Sequence, residues 1–232
     1  LGAEEFLNGK KRYCLWLSGI APQELSKMPK VLARVAAVRD FRLASKKAAT
    51  RKWADKPILF TENRQPLESY IVVPEVSSER RRYIPMGFLS PQIICSNLLL
   101  LIPNAELYHL GVLTSNVHMA WMRAVCGRLK SDYRYSNSVV YNNFPWPTPT
   151  DAQKARIEQT AQAILDARAL YPDASLADLY DELTMPPELR TAHQRNDRAV
   201  MDAYGFVVGT PERTSESDCV AALMRRYQEL TR

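Results

Sequence analysis

The rhythm of apolar and polar positions changes several times along the 232 residues. Arg12-Tyr-Cys-Leu-Trp-Leu17 is an aromatic and aliphatic run that predicts a short strand. From residue 29 to 54 the spacing is helical, with Leu32, Val35, Val38 and Leu43 forming an apolar stripe. Between Pro57 and Pro103 the period shortens toward two. Strands are predicted there at residues 69–73, 82–86, 92–95 and 98–102. The polar run Val76-Ser-Ser-Glu-Arg-Arg-Arg82 falls between the first two, where a hairpin loop belongs.

The stretch from Leu107 to Pro147 mixes all of these rhythms. Residues 107–113 are apolar and β-prone, and residues 119–129 are helix-like, with Asn116 as an N-cap and Gly127 near the end. Strand-like alternation returns through Tyr133, Tyr135, Val139 and Tyr141 and stops at Pro145 and Pro147. Beyond Pro149 the pattern is helical, over residues 152–170, 176–183, 188–204 and 218–230. Asp151 and Ser215 stand where caps belong, and Pro172 and Gly205 where helices stop. Four helices with short connections predict a small bundle. The fold class expected is α+β: a mixed helix-and-sheet domain over residues 1–147, then a helical domain over residues 148–232.

Charge sharpens this division. Lys and Arg number 21 against 11 Asp and Glu up to Thr150, and 10 against 14 beyond it, within a net charge of +6. So uneven a distribution points the first part toward nucleic acid, with an incidentally basic solvated surface as the competing account. Arg42, Lys46, Lys47, Arg51 and Lys52 are candidates for phosphate contact along the long basic helix. Arg81 and Glu79 carry a more specific possibility. An arginine forks onto guanine O6 and N7, and a glutamate accepts from cytosine N4, so the pair could read one base pair. Ser77, Ser78, Arg80, Arg82, Lys130 and Arg134 complete the candidate DNA-contacting set. Internal pairing of Glu79 with a neighbouring arginine is the alternative.

Other chemistry finds little support. There is no glycine-rich cofactor loop, Walker loop or GxSxG, and His109, His118 and His193 lack triad or metal-ligand spacing. The scattered Cys14, Cys95, Cys126 and Cys219 predict reduced core thiols, hence a cytoplasmic protein. No apolar run reaches the ~18 residues of a membrane span, and the opening residues do not resemble a signal peptide. The lack of an initiator Met is consistent with a fragment. Asn143-Phe-Pro-Trp146 is near the Asn-Pro-Pro-aromatic motif of amino-methyltransferases, but Phe144 departs from it, so a turn is expected there.

Several motifs together resemble one family. Tyr70-Ile-Val-Val-Pro74, Val76-Ser-Ser-Glu-Arg80, Arg82-Tyr-Ile-Pro85, Gly127-Arg-Leu-Lys-Ser-Asp-Tyr-Arg-Tyr-Ser136 and Val140-Tyr-Asn-Asn-Phe-Pro-Trp-Pro147 are similar to the target-recognition domain of MmeI-like enzymes. Gly2-Ala-Glu-Glu-Phe-Leu-Asn-Gly9 and Arg12-Tyr-Cys-Leu-Trp16 resemble the family's junction after the methyltransferase core. Leu183-Thr-Met-Pro-Pro-Glu-Leu-Arg190, Asp197-Arg-Ala-Val200 and Ala203-Tyr-Gly205 resemble its C-terminal helical domain. Those enzymes are type IIL restriction-modification proteins joining an endonuclease to an adenine-N6 DNA methyltransferase. The resemblance implies a duplex-DNA reader with no catalytic residue, metal or cofactor of its own. S-adenosylmethionine, and Mg²⁺ for cleavage, would belong to the parent's upstream domains. A protein-interaction module with an incidentally basic face, or a small self-contained methyltransferase, are the alternatives.

Overall fold

Tyr70-Ile-Val-Val-Pro74 is buried at every position, which an alternating strand achieves only when both its faces are covered. The computed structural model describes residues 1–209 and 213–232. They form two compact units: Arg12–Gln65, and Leu1–Lys11 together with Pro66–Arg232.

The larger unit starts with helix α1 (Ala3–Asn8). Its strands are β1 (Tyr70–Pro74), β2 (Val76–Ser77), β3 (Gly87–Leu89), β4 (Leu99–Ile102), β5 (Gly127–Leu129) and β6 (Asp132–Arg134). β1 is central in an antiparallel sheet of order β3-β1-β4, with Ile71 opposite Phe88 and Ile102. Ile71 and Val73 enter the main core, while Tyr70, Val72 and Leu99 pack with Leu1, Ala3 and Phe6. The backbone nitrogen of Leu1 donates to the Ile94 carbonyl at 2.6 Å, and Ser96 N donates to the Leu1 carbonyl at 2.8 Å. A second antiparallel sheet has the order β2-β6-β5. The Leu129–Asp132 pair closes its hairpin, and Lys130 takes a left-handed φ of 57° in the turn.

The smaller unit, Arg12–Gln65, holds α2 (Pro22–Ser26), α3 (Pro29–Leu43) and α4 (Ala48–Arg51). The single helix expected over residues 29–54 therefore breaks after Leu43. Arg42 is responsible for much of the reversal. Its guanidinium donates to the carbonyls of Trp53 and Lys56 at 2.8 Å and of Leu59 at 2.7 Å. Arg51 likewise donates to the carbonyls of Ser45 and Lys46, at 2.8 and 2.9 Å. A continuous helix would leave those arginines without these carbonyls. Residues 12–17 form no strand; instead Trp16 stacks on Phe60 with centroids 5.6 Å apart.

Helices dominate the rest of the larger unit: α5 (Leu107–Leu113), α6 (Asn116–Val125), α7 (Asp151–Ala169), α8 (Leu176–Leu179), α9 (Pro187–Ala203) and α10 (Glu216–Leu230). Thr150, Ser175 and Ser215 cap α7, α8 and α10, each accepting from the backbone three residues on. The cap of α7 is thus Thr150 in place of Asp151, and that of α6 is Ser115 in place of Asn116. α7 packs on α9 and α5, and α10 on α6, so one apolar core runs through helices on both sides of Pro147.

Three β-like segments are something else. Residues 107–113 are helical because Glu106 and His109 cap one another, with Glu106 N donating to His109 Nδ1 at 3.0 Å. Residues 137–141 form a π-helical turn, opened by Ser136 and closed by Asn142 N on the Asn137 carbonyl at 2.8 Å. Residues 82–86 form no strand because side chains take the place of a ladder. Ile84 N meets Met119 Sδ at 3.5 Å, and Arg168 donates to the Met86 carbonyl at 2.6 Å. Residues 92–95 form no strand either, and begin in a turn closed by Ile93 N on the Ser90 carbonyl.

Gly111 marks a close helix approach. A Cβ there would lie 2.6 Å from Ile157 Cγ2 and 3.1 Å from both the Ile157 carbonyl and Asn196 Oδ1. Gly111→Ala gains helix propensity of up to about 1 kcal/mol. It also forces α5 from α7 and strains the Asn196 amide bond to the Gly111 carbonyl, 2.7 Å long. Overpacking of this kind costs about 1–3 kcal/mol, so a lower Tm is expected in thermal unfolding.

Candidate nucleic-acid interface

β2 delivers the chain into a turn closed by Arg81 N donating to the Ser78 carbonyl at 3.1 Å, which puts Glu79 and Arg80 at its central positions. Backbone Arg80 N also donates to Ser78 Oγ at 3.3 Å. Since β2 pairs with β6 and residues 82–86 form no strand, the turn is not the hairpin loop expected. Glu79 and Arg81 therefore do not share a direction through strand alternation. The fold brings them together another way. Both line a cleft of about 520 Å³ with Arg80, Arg82, Arg123, Tyr133, Glu182 and Glu216 among its walls.

The charges in the cleft differ in how firmly they are committed. Glu79 faces Arg128 at 3.7 Å, with both side chains about half exposed, a spacing and exposure at which ion pairs contribute little. Arg128 comes from β5, lies 4.1 Å over the Tyr133 ring and donates to the Ser131 carbonyl at 2.7 Å. Arg81 is half-buried, and burial pulls its guanidinium below the usual arginine range, opposed by the nearby Asp181 and Asp132. Arg123 is held by Glu216 at 2.7 Å.

The turn is anchored from behind. Tyr83 OH donates to Asp197 Oδ2 at 2.7 Å, and Asp197 Oδ1 accepts from Asn116 N, at the start of α6, at 2.7 Å. The Tyr83 ring stacks on His193 at 4.2 Å. His193 Nε2 meets Tyr180 OH at 2.8 Å, and Arg168 reaches Tyr180 and the Met86 carbonyl together. Burial pushes Asp197 up to about 6, with Tyr83, Asn116, Arg82 and Arg123 opposing the rise. Burial also drives His193 well below its ordinary value and His118 down to about 3, so both rings are neutral packing elements.

The other expected contacts scatter. Ser77 is buried at 2% exposure, with its hydroxyl turned inward, so it is not a surface group as expected. Ser78 is half-buried in the turn, and Lys130 is exposed at the hairpin tip. Arg134 is paired with Glu75 at 2.9 Å. Arg42 and Arg51 are occupied by backbone carbonyls of the smaller unit, where Lys46, Lys47 and Lys52 are exposed. Arg123 and Arg128 escaped sequence reasoning; the two-residue connection Lys130-Ser131 between Gly127–Leu129 and Asp132–Arg134 was the available signal for Arg128.

The Asn143 segment is a packed turn. The Asn143 amide donates to the Ser138 carbonyl at 3.1 Å, and buried Phe144 meets His118 edge-on at 4.5 Å. Among the described residues no group of three or more His, Cys, Asp or Glu is placed to hold a metal ion, and the cysteines form no disulfide. Cys219 is buried, but Cys14 is exposed and so is no core thiol.

Residues 1–148 match the family model for the MmeI target recognition domain, and residues 149–232 match that for the MmeI C-terminal domain. The chain belongs to the MmeI target-recognition-domain family. It is 40% identical over 231 residues to DNA methyltransferase A of Bacillus subtilis (strain 168), covering 100% of this chain and 26% of that protein. It is 47% identical to the type IIL restriction-modification enzyme MmeI, whose structure was solved in complex with DNA. That likeness has a TM-score of 0.94 and covers 100% of this chain and 30% of the enzyme. The chain thus spans less than a third of either relative.

In this MmeI-type fold the segment that follows the Ser78–Arg81 turn meets the C-terminal helices at Asp197, through Tyr83, and titration should reveal it. The carboxyl binds its proton more tightly folded (about 6) than unfolded (3.8). Its contribution to stability is fully present below the lower value and is lost as pH rises through the upper one. The stability of the unmodified chain relative to Asp197→Asn should therefore fall between pH ~4 and ~7, at up to ~1.4 kcal/mol per unit. Urea unfolding of both proteins across that range checks it.

Proposed function

We propose that this chain is the sequence-reading part of an adenine-N6 DNA methyltransferase of the restriction-modification type. It grips duplex DNA and presents a target adenine to a catalytic domain elsewhere in the longer polypeptide. The observation that carries the reading is the cleft in which Glu79 and Arg81 lie together among further arginines, on a turn anchored to the core. A phosphate-binding surface gains nothing from a carboxylate, whereas a cytosine reader needs an acceptor beside a guanine-forking arginine. Among the described residues Glu79 has only the long pair with Arg128 to give up, so turning to a base edge costs little. Support also comes from the family and from its DNA-bound relative.

In this reading Glu79 and Arg81 specify one base pair. Arg80, Arg82, Lys130 and the exposed Lys46, Lys47 and Lys52 contribute position through phosphates. Arg134, already paired with Glu75, contributes only by exchanging that partner. S-adenosylmethionine, and Mg²⁺ if the polypeptide also cleaves, would be held outside these residues. The residues present supply the reading and no transfer chemistry. Residues 1–147 and 148–232 act as reader and support. Among the described residues no helix is long and apolar enough to cross a membrane, and the proposed setting is the cytoplasm, where DNA is.

In the full-length polypeptide, Arg81→Ala is expected to cost about 1–3 kcal/mol on the cognate site and to relax choice at a single position. Exchanging Glu79 and Arg81 together for another donor pattern should change the preferred base there. Sequencing of methylated sites reads both results; a double variant that keeps the parental motif and discrimination removes the pair from the reading set. Neutralising two of Lys46, Lys47 and Lys52 should weaken binding to all duplexes alike. The salt slope should flatten by roughly one unit per lost phosphate contact. An interaction module would show no such slope to begin with.

A further inference from the structure

The smaller unit, Arg12–Gln65, is built unlike a domain that stands in water by itself. Among its described residues the only buried apolar side chain is Ala54. Tyr13, Leu15, Met28, Leu32, Val38, Phe41, Leu43 and Phe60 are all exposed, Tyr13 at 86% and Phe41 at 76%. α3 concentrates the anomaly. Val31 and Val35 are half-buried on one side, yet Leu32, Ala36 and Leu43, recurring at helical spacing on the neighbouring stripe, face outward with Arg39 among them. Ala33, Ala37 and Phe41 extend the apolar surface further round. A helix apolar on so many sides is normally covered, and exposed apolar side chains gathered on one element point to an interaction site.

We propose that this outer surface of α3 is the seat of the part of the longer polypeptide that precedes these residues. It is thus the attachment face between reader and catalytic portion. The proposal rests on the functional reading above. Two facts select the occupant. The chain covers only 26–30% of the length of its relatives, so most of such a polypeptide lies outside it. Residues 149–232 match the MmeI C-terminal domain, so in a polypeptide built like MmeI that remainder precedes the matched part. The unit carries 12 Lys and Arg against 4 Asp and Glu, but phosphates attract those charges and have no use for Leu32, Phe41 or Leu43. An apolar protein surface does.

Hydroxyl-radical footprinting without DNA tests the assignment, comparing the 232-residue chain with the full-length polypeptide. Oxidation of Leu32, Phe41 and Leu43 should be severalfold slower in the full-length protein only. Phe41→Glu should leave the Tm of the 232-residue chain unchanged, because that ring is already in water. In the full-length protein it should lower Tm and restore oxidation of Leu32 and Leu43. Protection already present in the 232-residue chain overturns the proposal: a dimer by sedimentation would mean that a second copy covers the face, and a monomer that the chain covers it itself. Equal oxidation in both proteins, or protection appearing only on adding duplex, overturns it too. Duplex affinity of the 232-residue chain, measured separately, decides the reading function, so the two ideas fail independently.

Discussion

A carboxylate in a dry interior must be satisfied, and Asp197 is satisfied by groups far from it in sequence. Its two oxygens take the Tyr83 hydroxyl and the backbone nitrogen of Asn116. A charged side chain left unpartnered there would cost several kcal/mol, a cost that the meeting of these three segments removes. The donors at the start of α6 suit the negative charge, being orphan N–H groups at the positive end of a helix. Several walls of the cleft lie close to that meeting. Arg82 precedes the anchored tyrosine, the Ser78–Arg81 turn precedes Arg82, and Arg123 reaches in from the same α6.

The helices beyond Pro147 take part in this as support. Arg168 of α7 holds the Met86 carbonyl and Tyr180, and His193 and Asp197 of α9 hold the ring and hydroxyl of Tyr83. α7 can come that close only because Gly111 offers α5 no Cβ in its path. A short surface turn is thereby displayed on a stiff base, the arrangement in which loops carry recognition.

How much of this was legible in the sequence depended on the range of the interactions responsible. β1, β4 and the four C-terminal helices were readable because their signals are local: alternation, caps and helix stops. The α+β class and the family motifs followed from the same stretches. Residues 107–113 read as strand because a short apolar run has no period of its own, and the Glu106–His109 cap that settles it is subtle. Residues 82–86 were composed like a strand, but their partners are side chains of Met119, Arg123 and Arg168, invisible to any local pattern. The break after Leu43 depends on Arg42 reaching as far as residue 59. At the site, the arginines and Glu79 could be picked out by residue type. The burial of Ser77, the engagement of Arg134 by Glu75 and the arrival of Arg128 beneath Glu79 are products of strand pairing between distant segments.

The anchored turn also divides the labour between neighbours unevenly. Glu79 and Arg80 stand in solvent, where a replacement usually moves stability by no more than about half a kcal/mol. Three residues later Tyr83 is enclosed and bonded to a buried acid. The fold therefore tolerates changes of side chain at the tip and resists them at its footing.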